Sequence, residues 1–149
     1  MMRRLRGPVH GDEQGSTLLL TIFFSFLGLS LVLVVAAATS LYLDRKRLFT
    51  VADGAALAAA EAWSLDSMRI DDDALAIDLD DADVRRVAAD YLAVATHELD
   101  QVELVSAASI DGRSATITLR AVWHAPIHTE LLPVAVPIEV TATARSVFH

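Results

Sequence analysis

A chain of 149 residues leaves room for one modest domain, and any residues spent on a membrane segment are subtracted from that domain's core. A net charge of -8, with a pI near 4.9, argues against a phosphate-binding surface, because counterion release needs clustered Lys and Arg; nucleic acid is not an expected partner. Cysteine is absent, so a disulfide framework, a thiolate metal site and a Cys nucleophile are all excluded.

Arg3, Arg4 and Arg6 make residues 1–15 a short basic leader, and from 16 to 43 no side chain is charged. As a helix that run is about 40 Å long, against a hydrocarbon core of about 30 Å, so 16–43 is the expected transmembrane helix and the lipid bilayer an expected partner. A soluble-core helix is rarely apolar all round for so long. Arg45, Lys46 and Arg47 balance the leader cations, which leaves the positive-inside rule without a large asymmetry. The expected orientation is a cytoplasmic N-terminus and an exterior domain over 44–149, since a short basic leader is easily retained while a long acidic segment is translocated with little regard to charge. Small residues Gly28, Ser30, Ala36, Ala37, Ala38 and Ser40 would permit close helix packing.

Two processing sites compete. Ala36-Ala37-Ala38 offers an A-x-A-like site, and a cut after Ala38 would release a secreted soluble binding domain; against it, residues 17–35 exceed the usual h-region of about 7–15, and Asp12 and Glu13 are unusual in an n-region. Gly15-Ser16 instead has the layout of a prepilin leader, a hydrophilic segment ending in Gly before an apolar helix. Ordinary pilins carry a Glu five residues after that cut, where this chain has Leu20.

Beyond the span, Leu48, Val51, Ala52, Ala55, Ala56, Ala59, Ala60 and Trp63 follow the i, i+3, i+4, i+7 spacing, predicting an Ala-rich helix over 45–63 with a stripe narrow enough for close approach by another element. Residues 64–80 read as an acidic loop. Its Asp71-Asp72-Asp73 run and Asp78, Asp80, Asp81 and Asp83 fail the EF-hand pattern, because Leu75, Ala76 and Ala82 break the alternation and the turn Gly is missing. A second helix is predicted over 82–99 from Val84, Val87, Ala88, Tyr91, Leu92, Ala95 and Leu99, with Asp81 as N-cap and an exposed Arg86–Asp90 pair. The pattern then switches to period two, predicting strands over 101–110, 114–125 and 137–147, the first two joined at Asp111-Gly112. Pro126, Pro133 and Pro137 break the linker before the last strand. The fold class is α+β: a long N-terminal transmembrane helix extending into a small exterior domain of two helices and an antiparallel three-stranded sheet.

No catalytic constellation stands out. His124 and His128 are spaced like helical zinc ligands, but Pro126 lies between them and His124 sits on a strand pattern; His97-Glu98 does not continue into HExxH; neither a phosphate loop nor a nucleophile elbow is present. Trp63 and Trp123 end or lie on apolar stripes, which makes core packing their expected role. An enzyme, a metal, a cofactor and a small-molecule substrate are therefore not expected.

The stretch SLYLDRKRLFTVADGAALAAAEA, and above all ADGAALAAAEA at 52–62, resembles the TadE/TadG-like proteins of the Tad, or Flp-type, pilus-assembly system, with the resemblance covering about 15–62. It implies a bitopic, pilin-like membrane protein that serves assembly or secretion of adhesive pili, with other pilus-assembly or pilin-like proteins as partners. On this resemblance Asp53, Ala55, Ala56, Ala59 and Ala60 are the family-motif positions of the helix. Leu20 in place of Glu makes the chain more similar to the TadG-like branch.

Overall fold

The computed structural model describes residues 13–62, 68–71, 74–77, 79–126 and 135–145. The chain divides into two compact units, Met1–Ala38 and Thr39–His149. The described part of the first is helix alone, the opening of α1 (Glu13–Ala60). With no proline between Pro8 and Pro126, nothing interrupts its hydrogen-bond ladder. Thr21 and Thr50 place their hydroxyls on the carbonyls of Thr17 and Lys46, at 2.9 and 3.1 Å, as helical hydroxyls do. The helix closes with Ala62 N–H donating to Ala59 O, a tightened last turn.

In the second unit the later part of α1 buries one stripe: Leu48, Ala52, Ala55, Ala56, Ala59 and Ala60 are fully buried. The sheet supplies the other large buried set. Its strands β3 (Asp100–Ala108), β4 (Ser114–His124) and β5 (Ala135–Arg145) pair antiparallel in the order β3-β4-β5, after a separate hairpin β1 (Met68–Asp71) and β2 (Ala74–Ile77). Side chains alternate between faces along a strand, so Ala115, Ile117, Leu119, Ala121 and Trp123 share the buried face with Ile138, Val140 and Ala142. The opposite face is a polar ladder, with Thr116–Thr143 and Thr118–Thr141 hydroxyl bonds of 3.0 and 2.9 Å and an Arg120–Glu139 ion pair at 3.0 Å. Two register shifts interrupt β3, one between Asp100 and Glu103, where Gln101 takes φ 52°, the other between Leu104 and Ser106.

Helix α2 (Asp81–Val94) buries Val84 and Ala88. Its N-cap is Asp80 rather than the expected Asp81, with Ala82 N–H donating to Asp80 Oδ1 at 3.4 Å. Asp81 is thereby left to accept from Ser109 N–H at 2.7 Å, which straps the α2 start to the β3–β4 hairpin alongside a 2.9 Å bond from Leu79 N–H to Gly112 O. At the other end α2 stops at Val94 and not at 99. Ala95 turns to extended backbone while its N–H still caps Tyr91 O, and β-branched Val94 and Thr96 add little helix propensity there. The predicted acidic loop is also corrected: β1 and β2 set Met68 opposite Ile77 and Ile70 opposite Leu75, a period-two pairing of apolar positions within an acid-rich stretch. The Ala-rich helix ends at Ala60 rather than 63. Trp63, Asp72, Asp73, Asp78 and His128 lie outside the described residues.

The β3–β4 turn follows the expected Asp-Gly signal, with Gly112 at φ 66°. Asp111 Oδ1 accepts from Ser114 Oγ, Arg113 N–H and Ser114 N–H at 2.6, 3.0 and 2.7 Å. The hydroxyl bond first, then the two amide bonds, hold this carboxyl well below its ordinary value, at about 2.

Gly54 of α1 packs against Tyr91 of α2: a Cβ there would meet the Tyr91 hydroxyl and lie 2.8 Å from Tyr91 Cζ. Gly54→Val is expected to cost about 1–3 kcal/mol by overpacking, and adding Tyr91→Ala to recover part of that loss, as thermal unfolding of the solubilised chain will measure. A carboxyl depressed in the folded state contributes stability that is full above its unfolded pKa and lost as the pH falls through the folded one. Asp111→Ala therefore lowers the melting temperature at neutral pH, and the gap to the parent chain closes between about pH 4 and pH 2 in melts taken as a function of pH.

Candidate functional site

The functional candidate is α1 itself. Between Leu18 and Val35 its large apolar side chains are all exposed, from 38% at Leu33 to 71% at Leu19 and Phe26. The helix Ser16–Ala60 is long and apolar enough to cross a membrane, and none of its most apolar window is buried. That separates it from the core helix of a soluble protein, whose apolar residues are covered. Phe23 and Phe24 stand edge to face, with ring centroids 5.7 Å apart.

The bond between Gly15 and Ser16 lies within helical backbone, because α1 begins at Glu13, two residues ahead of Gly15. Leu20 is 56% exposed on the same helix. The small residues expected to permit helix packing fall into separate groups. Gly28 has open space where a Cβ would sit, and Ala36 and Ala38 are exposed. Ser30 and Ala37 are half-buried and, seven residues apart, share one helix face.

Ser40 takes part in a contact within the chain. Its Oγ accepts a 3.2 Å bond from Trp123 Nε1, a part-buried contact that joins α1 to the end of β4 within the second unit. Trp123 is 6% exposed on the buried sheet face, so it packs in the core as expected while its one donor is satisfied by Ser40. No local pattern could have signalled this contact between residues 83 positions apart. Beside it, His124 Nδ1 lies 3.5 Å from Asp100 Oδ2 at the same end of the sheet.

The motif positions divide by burial. Ala55, Ala56, Ala59 and Ala60 are fully buried, whereas Asp53, at the margin of their stripe, is exposed. The three cations that follow the span also divide. Arg47 pairs with Asp44 at 3.4 Å and reaches Glu98 at 3.8 Å, while among the described residues Arg45 and Lys46 make no ion pair. His97 sits next to Glu98 with its Nδ1 buried and unpartnered, in a small cavity of about 280 Å³ beside Arg47 and Thr50. Among the described residues no group of three or more His, Cys, Asp or Glu side chains is arranged to hold a metal ion.

Residues 15–62 match the Tad family model, described as Flp pilus-assembly TadE/G-like. The match spans the segment on which the resemblance was read and ends at Ala62, so α2 and both sheets lie beyond it. No curated protein and no solved structure matches the chain.

Ser40→Ala is expected to cost about 1 kcal/mol by leaving the buried indole N–H unpaired, and Trp123→Ala about 3–5 kcal/mol. Chemical denaturation of the solubilised chain checks both, and a double variant losing less than the sum of the two establishes that the residues act together.

Proposed function

Because residues 15–62 are a TadE/G-like segment, we propose that the chain is a non-enzymatic, pilin-like component of Flp-type pilus assembly or secretion, anchored in the cell membrane by α1. The observation that carries this reading is the run from Leu18 to Val35, apolar on every side and covered on none, leading within the same helix into a buried alanine stripe. In water such a run would expose a patch far beyond what a monomer tolerates; in a bilayer it is solvated by lipid.

In this reading the N-terminus is cytoplasmic and the domain built on α1, α2 and the sheet is exterior. The protein works by lateral helix packing in the bilayer and by docking its exterior domain onto other pilus-assembly proteins, with no bond made or broken. Ser30 and Ala37 are the small residues best placed for such packing, since they share one helix face, and packing between apolar helices in lipid depends on close backbone approach. Cleavage after Gly15, if a leader peptidase acts, would leave Ser16 as the new N-terminus.

One observation favours a second reading. The compact second unit begins at Thr39, the residue that a cut after Ala38 would expose, and that unit keeps both Ser40 and Trp123. Release would then yield a soluble binding domain.

Leu31→Arg places a charge near the middle of the span, at about 2.5–3.5 kcal/mol on the insertion scale, and is expected to release the protein from membranes or abolish its accumulation; normal retention would count against the spanning assignment. Intact mass of the protein recovered from membranes is expected to begin at Met1 or Ser16. A species beginning at Thr39 in the medium would establish the released domain instead.

A further inference from the structure

At the end of the uncharged run and just past it, α1 presents Tyr42, Arg45, Lys46 and Phe49 at i, i+3, i+4 and i+7, one face of the helix. This face is not the buried stripe: Tyr42 is 65% and Phe49 49% exposed. Together with Glu139, Val140 and Thr141 of β5 it lines an open groove of about 550 Å³. Successive strand residues point to opposite faces, so three in a row reach one groove through the main-chain edge they share. β5 is an edge strand of the order β3-β4-β5, and an edge offers unpaired N–H donors.

The charge in this groove is unbalanced. Its one carboxylate, Glu139, is paired with Arg120 at 3.0 Å on the polar sheet face. Arg45 and Lys46, by contrast, make no ion pair among the described residues, while the third cation of the run, Arg47, is taken by Asp44 and Glu98 on another flank. Two cations without an ion pair among the described residues, a phenol and a strand edge are donors that a phosphodiester accepts from.

Position along the helix selects the source of that phosphate. Tyr42 stands next to the end of the uncharged run 16–43, whose helix of about 40 Å outreaches the hydrocarbon core of about 30 Å, so that end falls at the headgroup layer. Helical side chains lean toward the helix N-terminus, so Arg45 and Lys46 lean back along α1 toward the span. Aromatic residues followed by cations are also what anchors a helix at the headgroup level.

We propose that the groove between α1 and the β5 edge binds the headgroup of an anionic phospholipid, with Arg45 and Lys46 on the phosphate and Tyr42 and Phe49 against the glycerol and upper acyl carbons. This inference rests on the membrane-anchor reading above. A lipid held there fixes the depth of the exterior domain and occupies the free strand edge until a partner displaces it.

The test is native mass spectrometry of the full chain in detergent, titrated separately with phosphatidylglycerol, phosphatidylcholine and glycerol 3-phosphate. The wild type is expected to prefer phosphatidylglycerol, and Arg45→Gln with Lys46→Gln to weaken its binding about thirtyfold, from about fivefold for each cation near a lipid surface. Arg47→Gln removes the same charge from the other flank and is expected to leave that binding within about twofold, because only groove cations touch the phosphate. Equal binding of the two lipids, an Arg47→Gln loss as large per charge as that of the groove variant, or equal binding of glycerol 3-phosphate would each overturn the lipid site. A self-association lost in the groove variant without lipid present would overturn it in favour of an acidic protein partner. Carbonate extraction of the same wild-type protein separates the two claims: a chain that resists extraction but shows no lipid preference contradicts this site alone, whereas a chain that is extracted contradicts the anchor and the site together.

Discussion

Backbone amides in hydrocarbon have no water to bond, so an apolar run that crosses a bilayer has to be helical, and residues that follow it inherit a helix already nucleated. Everything described in this chain depends on that constraint. α1 satisfies two solvents in turn: through Val35 its side chains are apolar on all sides, and from Leu48 onward they are apolar on one face only. An isolated amphipathic helix of a dozen residues is marginal in water, but one that continues an existing helix does not bear the nucleation penalty.

The alanines of the second part determine how the domain packs. Ala52, Ala55, Ala56, Ala59 and Ala60 bury completely because their side chains are short, and Gly54 goes further by admitting the Tyr91 ring where any Cβ would collide. Such a stripe contributes modest hydrophobic energy per residue, about one methyl group each, so stability has to come from large partners. Leu48, Ile117, Leu119 and Val84 are the largest fully buried side chains, and Trp123 adds the bulk at the end of the sheet nearest Ser40 along α1. The family match covers this helix and stops before the sheet.

Elements whose pattern repeats over many residues are legible in the sequence: the uncharged run, the alanine stripe and the alternation in β4 and β5. Elements decided by a few residues are not. The β1–β2 hairpin spans only four residues a side, and its apolar pairs are masked by the aspartates around them. The α2 terminus was placed too late because Ala95 and Leu99 kept the helical spacing, although the backbone had already turned extended at Ala95. Asp80 and Asp81 exchanged roles because a cap is chosen by geometry, and the bond from Ser109 gives Asp81 another use. Among the site residues, Ser40 accepts from Trp123, 83 positions away, a contact that only a long-range fold could reveal.

One helix, α1, holds both the uncharged run and the alanine stripe that is buried in the second unit. The absence of cysteine allows single cysteines to be introduced along residues 18–60 and spin-labelled in the full chain reconstituted in bilayers, with collision rates measured for oxygen and for a water-soluble nickel chelate. The account predicts high oxygen and low nickel access at every position to about residue 38, followed, from 42 to 60, by nickel access that oscillates with the 3.6-residue period and is lowest at 48, 52, 55 and 59. Uniform nickel access over 18–38, or an aperiodic profile beyond 42, would contradict it.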